Sequence, residues 1–150
     1  MRKACLVLAA AAVAAVAARP AHAVLQFYKV FDEVYLVDHD NKEFAEAARE
    51  KKMQCLICHQ GKLRKNHNPY GIHLVELLDK RKDVKDVAKI KEALAKVGEM
   101  HSDPKDESSP TYDELIKSGA FPGGTFEEAS KEPPKKDEPS ARDGAAGTSG

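Results

Sequence analysis

The sequence predicts a small all-α domain of about five short helices. Apolar residues recur three and four positions apart through the middle of the chain, and no segment alternates as a convincing strand would. Residues that begin and end helices stand where these apolar patterns start and stop. The length of 150 residues favours a single domain.

The N-terminal residues 1–23 are expected to be a signal peptide that is removed on export. Two basic residues precede an apolar run over 6–18, and the small-x-small cleavage site AHA ends at residue 23. The run is short for a membrane span, and a retained anchor is the alternative. We therefore predict a periplasmic or otherwise exported protein whose mature chain keeps two cysteines, Cys55 and Cys58.

The C-terminal segment is expected to be a disordered tail over residues 125–150. From Glu127 onward the chain is rich in Pro, Gly, Ser and charged residues, and no large apolar residue follows Phe126. Such a segment cannot bury enough apolar surface to offset the entropy lost on ordering. The folded domain is therefore predicted to span residues 24–124.

The first two helices are predicted from apolar spacing. Phe27, Val30, Phe31 and Val34 fall at i, i+3, i+4 and i+7, which places them on one face of the first helix. A second helix is expected over about 42–53, with Phe44, Ala47 and Ala48 inward. It would end just before the two cysteines.

The later helices are predicted from start and stop signals. Asn68 and Pro69 are a typical N-cap and first helical residue. Asp83 is expected to cap the next helix and Gly98 to end it, and a short helix over about 112–117 would end at Gly119. The apolar residues on the inward faces of the two longer helices are Tyr70, Leu74, Leu77, Leu78, Val87, Ile90, Leu94 and Val97.

The stretch Cys55-Leu56-Ile57-Cys58-His59 carries the most specific signal in the chain. A structural zinc site needs a second pair of ligands, and the mature chain has no further cysteine. A thioredoxin-like dithiol normally follows a strand, whereas the segment before Cys55 is predicted to be helical. A plain disulfide between the two cysteines is a further alternative. C-x-x-C-H is the signature of covalent c-type haem attachment, in which both thiols become thioethers and His59 binds the iron.

The chain resembles small exported bacterial c-type cytochromes with one haem. The resemblance rests on this motif, on the predicted helices before and after it, and on a methionine 41 residues beyond His59. The run CHQGKLRKNHNPYG also resembles poorly characterised bacterial sequences. The resemblance covers residues 24–124 and implies a cytochrome c-like helical domain wrapped around one covalent haem c. The Pro-rich segment after Met100 departs from the family pattern, which has a long C-terminal helix.

The sixth iron ligand decides between electron transfer and ligand binding. Met100 is the expected ligand, because a thioether on a loop after a helix is the arrangement of Met/His cytochromes. His101 and His73 are alternatives, as is an open or exogenously filled position. Met53 lies too close to Cys55. His67 is expected to be a solvated surface group, and His39 is expected to be structural or exposed.

Polar residues near the motif are candidates for supporting roles. Lys62, Arg64 and Lys65 form a basic loop that is either simply solvated or a docking patch for an acidic partner. Tyr70 and Asn68 are candidate hydrogen-bond donors to the haem propionates or to a ligand.

The sequence thus predicts a soluble periplasmic electron carrier whose haem cycles between Fe(III) and Fe(II). Its partners would be redox proteins that bind transiently. Nucleic acid is not expected, because the mature chain has 21 basic and 24 acidic residues. No membrane span is expected after cleavage, and no catalytic group is recognisable, so no enzyme is predicted. The alternatives are a haem protein that binds a small ligand, as sensor or weak peroxidase, and an accessory domain that uses haem for folding.

Overall fold

The computed structural model describes residues 22–62 and 65–133. The predicted signal peptide up to residue 21, Arg64 of the basic loop and the predicted tail from residue 134 onward lie outside the described residues. The described part is mostly helical, which confirms the all-α prediction in its coarse form. The expectation of no strand is wrong, because two strands of two residues each pair between the helices.

Within the described residues the chain forms seven α-helices, one π-helical turn and one antiparallel hairpin. The helices are α1 (His22–Phe31), α2 (Lys42–Arg49), α3 (Lys51–Leu56), α4 (Pro69–Leu77), α5 (Val87–Gly98), α6 (Tyr112–Ser118) and α7 (Phe126–Ser130). The π-helical turn Asp32–Leu36 continues α1. The strands β1 (His59–Gln60) and β2 (Asn66–His67) pair with His59 opposite His67, and residues 59–67 are called the motif hairpin below.

The π-helical turn changes the face that the first helix presents to the core. Val30 and Phe31 are buried as predicted, but Val34 is 43% exposed. A π-turn accommodates one more residue per turn than an α-helix, which shifts the inward position forward along the chain. Tyr35 therefore packs on Phe31, with ring centroids 5.0 Å apart, and Leu36 is completely buried.

The single helix predicted over 42–53 is two helices, because Glu50 has an extended backbone between them. Asn41 caps α2 by accepting a 3.0 Å hydrogen bond from the Phe44 amide. After the break at Glu50, α3 starts in a new direction and ends at Leu56. The break lets a separate short helix carry Cys55.

The predicted ends of the later helices are partly right. Asn68 caps α4 and Gly119 ends α6 in the left-handed conformation, both as predicted. The prediction that Asp83 caps α5 is wrong, because Asp86 accepts the hydrogen bond from the Lys89 amide at 2.9 Å. Asp83 instead lies one turn earlier and pairs with the Lys89 ammonium at 2.6 Å.

One apolar core fills the space between α1, α2, α4, α5 and α6. Gly98 is the last residue of α5 rather than its stop, and a Cβ there would overlap the Asp113 carboxylate of α6. Residues of this helical core include Val30, Phe31, Leu36, Phe44, Tyr70, Ile90, Leu94, Val97, Tyr112 and Ile116.

The predicted start of the disordered tail at residue 125 is too early. Thr125 and Glu128 form a capping box that begins α7. Ala129 of this helix is 2% exposed and packs in a small cluster with Met53 and Leu56 of α3. One buried alanine and a good cap are enough to dock a short helix whose composition resembles a disordered segment.

No helix in the two described ranges is both long enough and apolar enough to cross a membrane.

Candidate functional site

The two cysteines are presented by the end of α3 and the turn that follows it. Cys55 lies in the last turn of the helix, and the Cys58 amide donates to the Cys55 carbonyl at 3.3 Å. Both residues are partly exposed and neither belongs to a disulfide. This turn leads directly into β1, so His59 lies in a strand and not in the helix that carries Cys55.

Helix α4 packs directly on the backbone of Cys58. A Cβ on Gly71 would overlap the Cys58 carbonyl oxygen, so only glycine permits this approach. Burial raises the pKa of the Cys58 thiol to about 12, and the charge of Cys55 adds to the effect. The thiol of Cys58 is therefore protonated at neutral pH in the haem-free chain.

The Asn68 side chain ties the motif to the start of α4. Its oxygen accepts a hydrogen bond from the Gly71 amide at 2.9 Å, and its nitrogen donates to the carbonyls of Leu56 and Ile57, both at 2.9 Å. Asn68 is 1% exposed. Its amide hydrogens are thus directed to these carbonyls, and a hydrogen bond from Asn68 to a haem propionate or to a ligand stays a prediction.

His59 is oriented by the opposite strand of the motif hairpin. Its Nδ1 lies 3.3 Å from the Asn66 carbonyl oxygen, which can only accept, so Nδ1 carries the hydrogen. In that tautomer Nε2 is the nitrogen that can bind a metal. His67 stacks on the His59 ring at 4.6 Å.

His67 is not the exposed surface histidine that was predicted. It is partly buried beside His59, and burial lowers its pKa, with the positive charge of Lys80 adding to the effect. His39 is structural as expected: its Nε2 donates to the Ile116 carbonyl at 2.7 Å.

The candidate sixth ligands gather around Tyr112, at the start of α6. The Tyr112 amide donates to the Met100 carbonyl at 3.0 Å. His101 pairs with Thr111 in an isolated bridge, and the His73 ring centroid is 6.2 Å from that of Tyr112. The structure therefore brings Met100, His101 and His73 to one region of the chain.

The three candidates differ in how they are held. Met100 is 37% exposed. The Nδ1 of His101 lies 2.5 Å from the Ser109 carbonyl, and the Nδ1 of His73 lies 3.8 Å from the Glu76 carboxylate. His101 is thus fixed in the 101–111 loop, whereas the Met100 side chain is exposed.

Tyr70 lies between the cysteine region and the Tyr112 region. Its ring centroid is 5.1 Å from that of Tyr112, and the neighbouring residue Gly71 contacts Cys58. Burial raises the pKa of Tyr70 well above its ordinary value, with the charges of Tyr35 and Cys58 among the smaller causes. The Tyr112 hydroxyl oxygen is buried, and no hydrogen-bond partner satisfies it among the described residues.

Helix α4 is apolar on two faces. Tyr70 and Leu74 face the core, while Ile72 and Val75 are 46% and 50% exposed. Val75 follows the Gly71 contact with Cys58 by one helical turn. An apolar helix of this kind normally has both faces covered.

The C-terminal segment contributes contacts that the sequence did not predict. The Glu132 carboxylate accepts hydrogen bonds from the Lys62 amide at 2.8 Å and from the Asn66 side chain at 3.3 Å. The capping box at Thr125 and Glu128 was a visible signal for α7. No local signal in the sequence connects Glu132 to the motif hairpin, because the contact spans about 70 residues.

Among residues 22–62 and 65–133, no three His, Cys, Asp or Glu side chains gather as a metal site. No protein-family model, no curated protein and no solved structure matches this chain.

Proposed function

We propose that this chain is an exported electron-transfer protein that carries one covalent haem c. Cys55 and Cys58 would hold the haem through thioether bonds, and His59 would bind the iron through Nε2. When bound, the haem supplies an Fe(III)/Fe(II) couple. The chain's own residues hold the group, orient the ligand and limit the access of water.

One observation carries the proposal: the arrangement of His59 after the paired cysteines. Its Nδ1 donates to a backbone carbonyl, which selects the tautomer and ring orientation that a metal-binding histidine commonly has. Asn68 holds the preceding carbonyls of Leu56 and Ile57, so the turn between the cysteines and His59 has one conformation. The two thiols are not in a disulfide, as attachment requires.

The surroundings of the cysteines also suit a large apolar group. Ile72 and Val75 of α4 expose apolar side chains close to the contact between Gly71 and Cys58. The Tyr112 hydroxyl is buried without a partner among the described residues, so it is a donor that a bound group would satisfy. These residues fit a haem, because the group would cover the apolar side chains and could accept a hydrogen bond from the hydroxyl.

Met100 remains the proposed sixth ligand. It follows α5 closely and its backbone bonds to Tyr112, and its side chain is exposed. A thioether at this position closes the iron to outside ligands and raises the reduction potential. His73 and His101 lie in the same region, and either would give a lower potential as a second nitrogen ligand.

The experiment is expression with a c-haem maturation system, followed by denaturation and haem analysis. We expect one haem per chain that stays with the denatured polypeptide, and none after Cys55→Ala with Cys58→Ala. The double variant His39→Ala with Met53→Leu leaves the motif intact and serves as the control for lost stability. A wild-type chain without covalent haem would overturn the proposal.

The sixth ligand is tested by the near-infrared spectrum of the ferric protein. Met100→Leu should abolish a sulfur-to-iron charge-transfer band that Met53→Leu retains. A low-spin spectrum without this band in the wild type would move the ligand to His73 or His101. A high-spin spectrum with rapid CO binding to the ferrous form would favour the small-ligand sensor or weak peroxidase.

A further inference from the structure

We propose that Glu132 is a positioning residue for His59 and acts through the motif hairpin. The segment from α7 to Glu132 is called the C-terminal strap here. It binds the motif hairpin on both sides of the loop between the two strands. The last step, from an oriented His59 to the iron, rests on the proposed function. The preceding steps concern the haem-free chain alone.

The Glu132 carboxylate bridges the two sides of the hairpin loop. One oxygen accepts from the Lys62 amide at 2.8 Å, just after β1, and the other accepts from Asn66 Nδ2 at 3.3 Å, at the start of β2. Hydrogen bonds to a carboxylate are stronger than those between neutral groups. Glu132 therefore ties the two strands together from outside the hairpin.

Gly61 shows how closely the carboxylate approaches the loop. It has a φ of 81°, in the left-handed region, and a Cβ there would overlap the Glu132 carboxylate. Glycine thus satisfies two conditions at this position, the backbone conformation and the space for Glu132.

The strap is itself anchored, so Glu132 is delivered by ordered structure. The Gly61 amide donates to the Ala129 carbonyl at 2.7 Å, and Ala129 is buried against α3. The ammonium of Lys52 lies 5.0 Å from the centre of the Phe126 ring. These contacts place the end of α7 beside the start of the hairpin loop.

Asn66 connects this strap to His59. Its side chain donates to Glu132, while its own backbone carbonyl accepts from His59 Nδ1. A shift of the Asn66 backbone would change both contacts, because the carbonyl and the side-chain amide belong to the same residue. Groups that orient a ligating histidine tune its basicity and ring angle, so Glu132 would act on the iron through two hydrogen bonds in series.

The first test uses the haem-free chain and compares Glu132→Ala and Glu132→Gln with Glu127→Ala. Glu127 is a suitable control because it lies in α7, is 83% exposed and forms an ion pair with Lys131. Loss of a charge-assisted bond should speed exchange of the Lys62 amide by about tenfold in Glu132→Ala. Glu132→Gln should give a smaller change, because its amide oxygen can still accept from Lys62.

The second readout is the tautomer of His59, read from the ¹⁵N shifts of its ring. We expect the Nδ1–H form in the wild type and in Glu127→Ala, and a mixture of both tautomers in Glu132→Ala. In the haem-loaded protein, Glu132→Ala should shift the ferric electron paramagnetic resonance signal of the axial ligand set, and Glu127→Ala should not.

The outcomes separate this proposal from the proposed function. A wild-type chain that takes up no haem contradicts the function, while amide exchange and the His59 tautomer still decide the role of Glu132. Unchanged Lys62 exchange in Glu132→Ala would overturn the strap. Faster exchange with an unchanged His59 tautomer would also overturn the positioning role, because the strap would then hold the loop without reaching His59.

Discussion

The helical core and the motif hairpin are stabilised in different ways. In the helical core, large apolar side chains from α1, the π-helical turn and α4 pack on one another, as Phe31 does on Tyr35 and Tyr70. Around the motif hairpin, single polar side chains bind backbone groups of distant segments. Asn68 holds the turn before His59, and Glu132 holds the loop after it.

The difference follows from what each region has to do. The core has to bury apolar surface, which interchangeable side chains achieve together. The side chains of Cys55, Cys58 and His59 are only partly buried, and the proposed function requires them in a fixed geometry. Because packing on the core encloses them only in part, directional hydrogen bonds to their backbone supply the rest of the order.

The largest loss of stability is expected from the core. Phe31→Ala removes a buried ring between Tyr35 and Tyr70 and should lower the free energy of unfolding by about 3–5 kcal/mol. Urea denaturation followed by circular dichroism measures the change. Val34→Ala, three residues later and 43% exposed, should cost less than about 0.5 kcal/mol. Equal losses in the two variants would contradict the shifted face of the π-helical turn.

Asn68→Asp is expected to have the next largest effect. Aspartate can still cap α4, but it cannot donate to the Leu56 and Ile57 carbonyls, and its charge would face them. We expect a loss of about 2–4 kcal/mol from two buried bonds that are replaced by an unfavourable contact. Asn41→Asp is the matched control, because Asn41 caps α2 through its oxygen and should tolerate the change.

Amide exchange of Asn68→Asp sharpens the comparison between the two regions. If the motif is held locally, residues 56–61 should lose protection while the α5 amides keep most of theirs. Equal loss in both regions would show that the helical core and the motif hairpin unfold as one unit. The helical core and the motif hairpin would then differ in the kind of contacts they make and not in their stability.

Local signals in the sequence were enough for much of the fold. Asn68 before Pro69, and Gly119 after an amphipathic turn, act within a few residues of themselves, so the ends that they mark could be predicted. The C-x-x-C-H motif is local in the same sense. Its spacing identified Cys55, Cys58 and His59 as the candidate site without knowledge of any contact.

The features that the sequence did not reveal depend on contacts between distant segments. The π-helical turn at Asp32–Leu36 is invisible in a periodic pattern that fits an α-helix equally well. The capping box marks the start of α7, but its docking depends on one buried alanine against α3, and Glu132 bonds to residues about 70 positions earlier. Asp83 and Asp86 have the same capping chemistry, so only the path of the chain chooses between them.

Charged residues of the motif hairpin are expected to affect electron transfer more than charged residues on the helices of the core. Lys62→Glu with Lys65→Glu should slow oxidation of the ferrous protein by hexacyanoferrate(III) by about threefold to tenfold at low salt, because two exposed positive charges next to the motif are reversed. Lys96→Glu with Lys117→Glu changes the net charge equally on α5 and α6. Stopped-flow rates at low and high salt compare the two variants. Equal slowing in both would assign the effect to net charge and leave Lys62 and Lys65 as a solvated loop.

The smallest expected effect lies in the connection between α4 and α5, where Asp83 pairs with Lys89. The hydrogen bond from Lys89 and the amide of Asp79 hold the pKa of Asp83 below its ordinary value. A carboxyl group with a lowered folded pKa stabilises the fold above its unfolded pKa of about 4, and this contribution is lost as the pH falls through the folded pKa. The stability difference between wild type and Asp83→Asn should therefore be larger at pH 6 than below pH 3, and salt should reduce it. Urea midpoints measured at both pH values test this prediction, with Asp38→Asn as the exposed control. A stability difference that does not change with pH would mean that Asp83 acts only through its neutral hydrogen bonds.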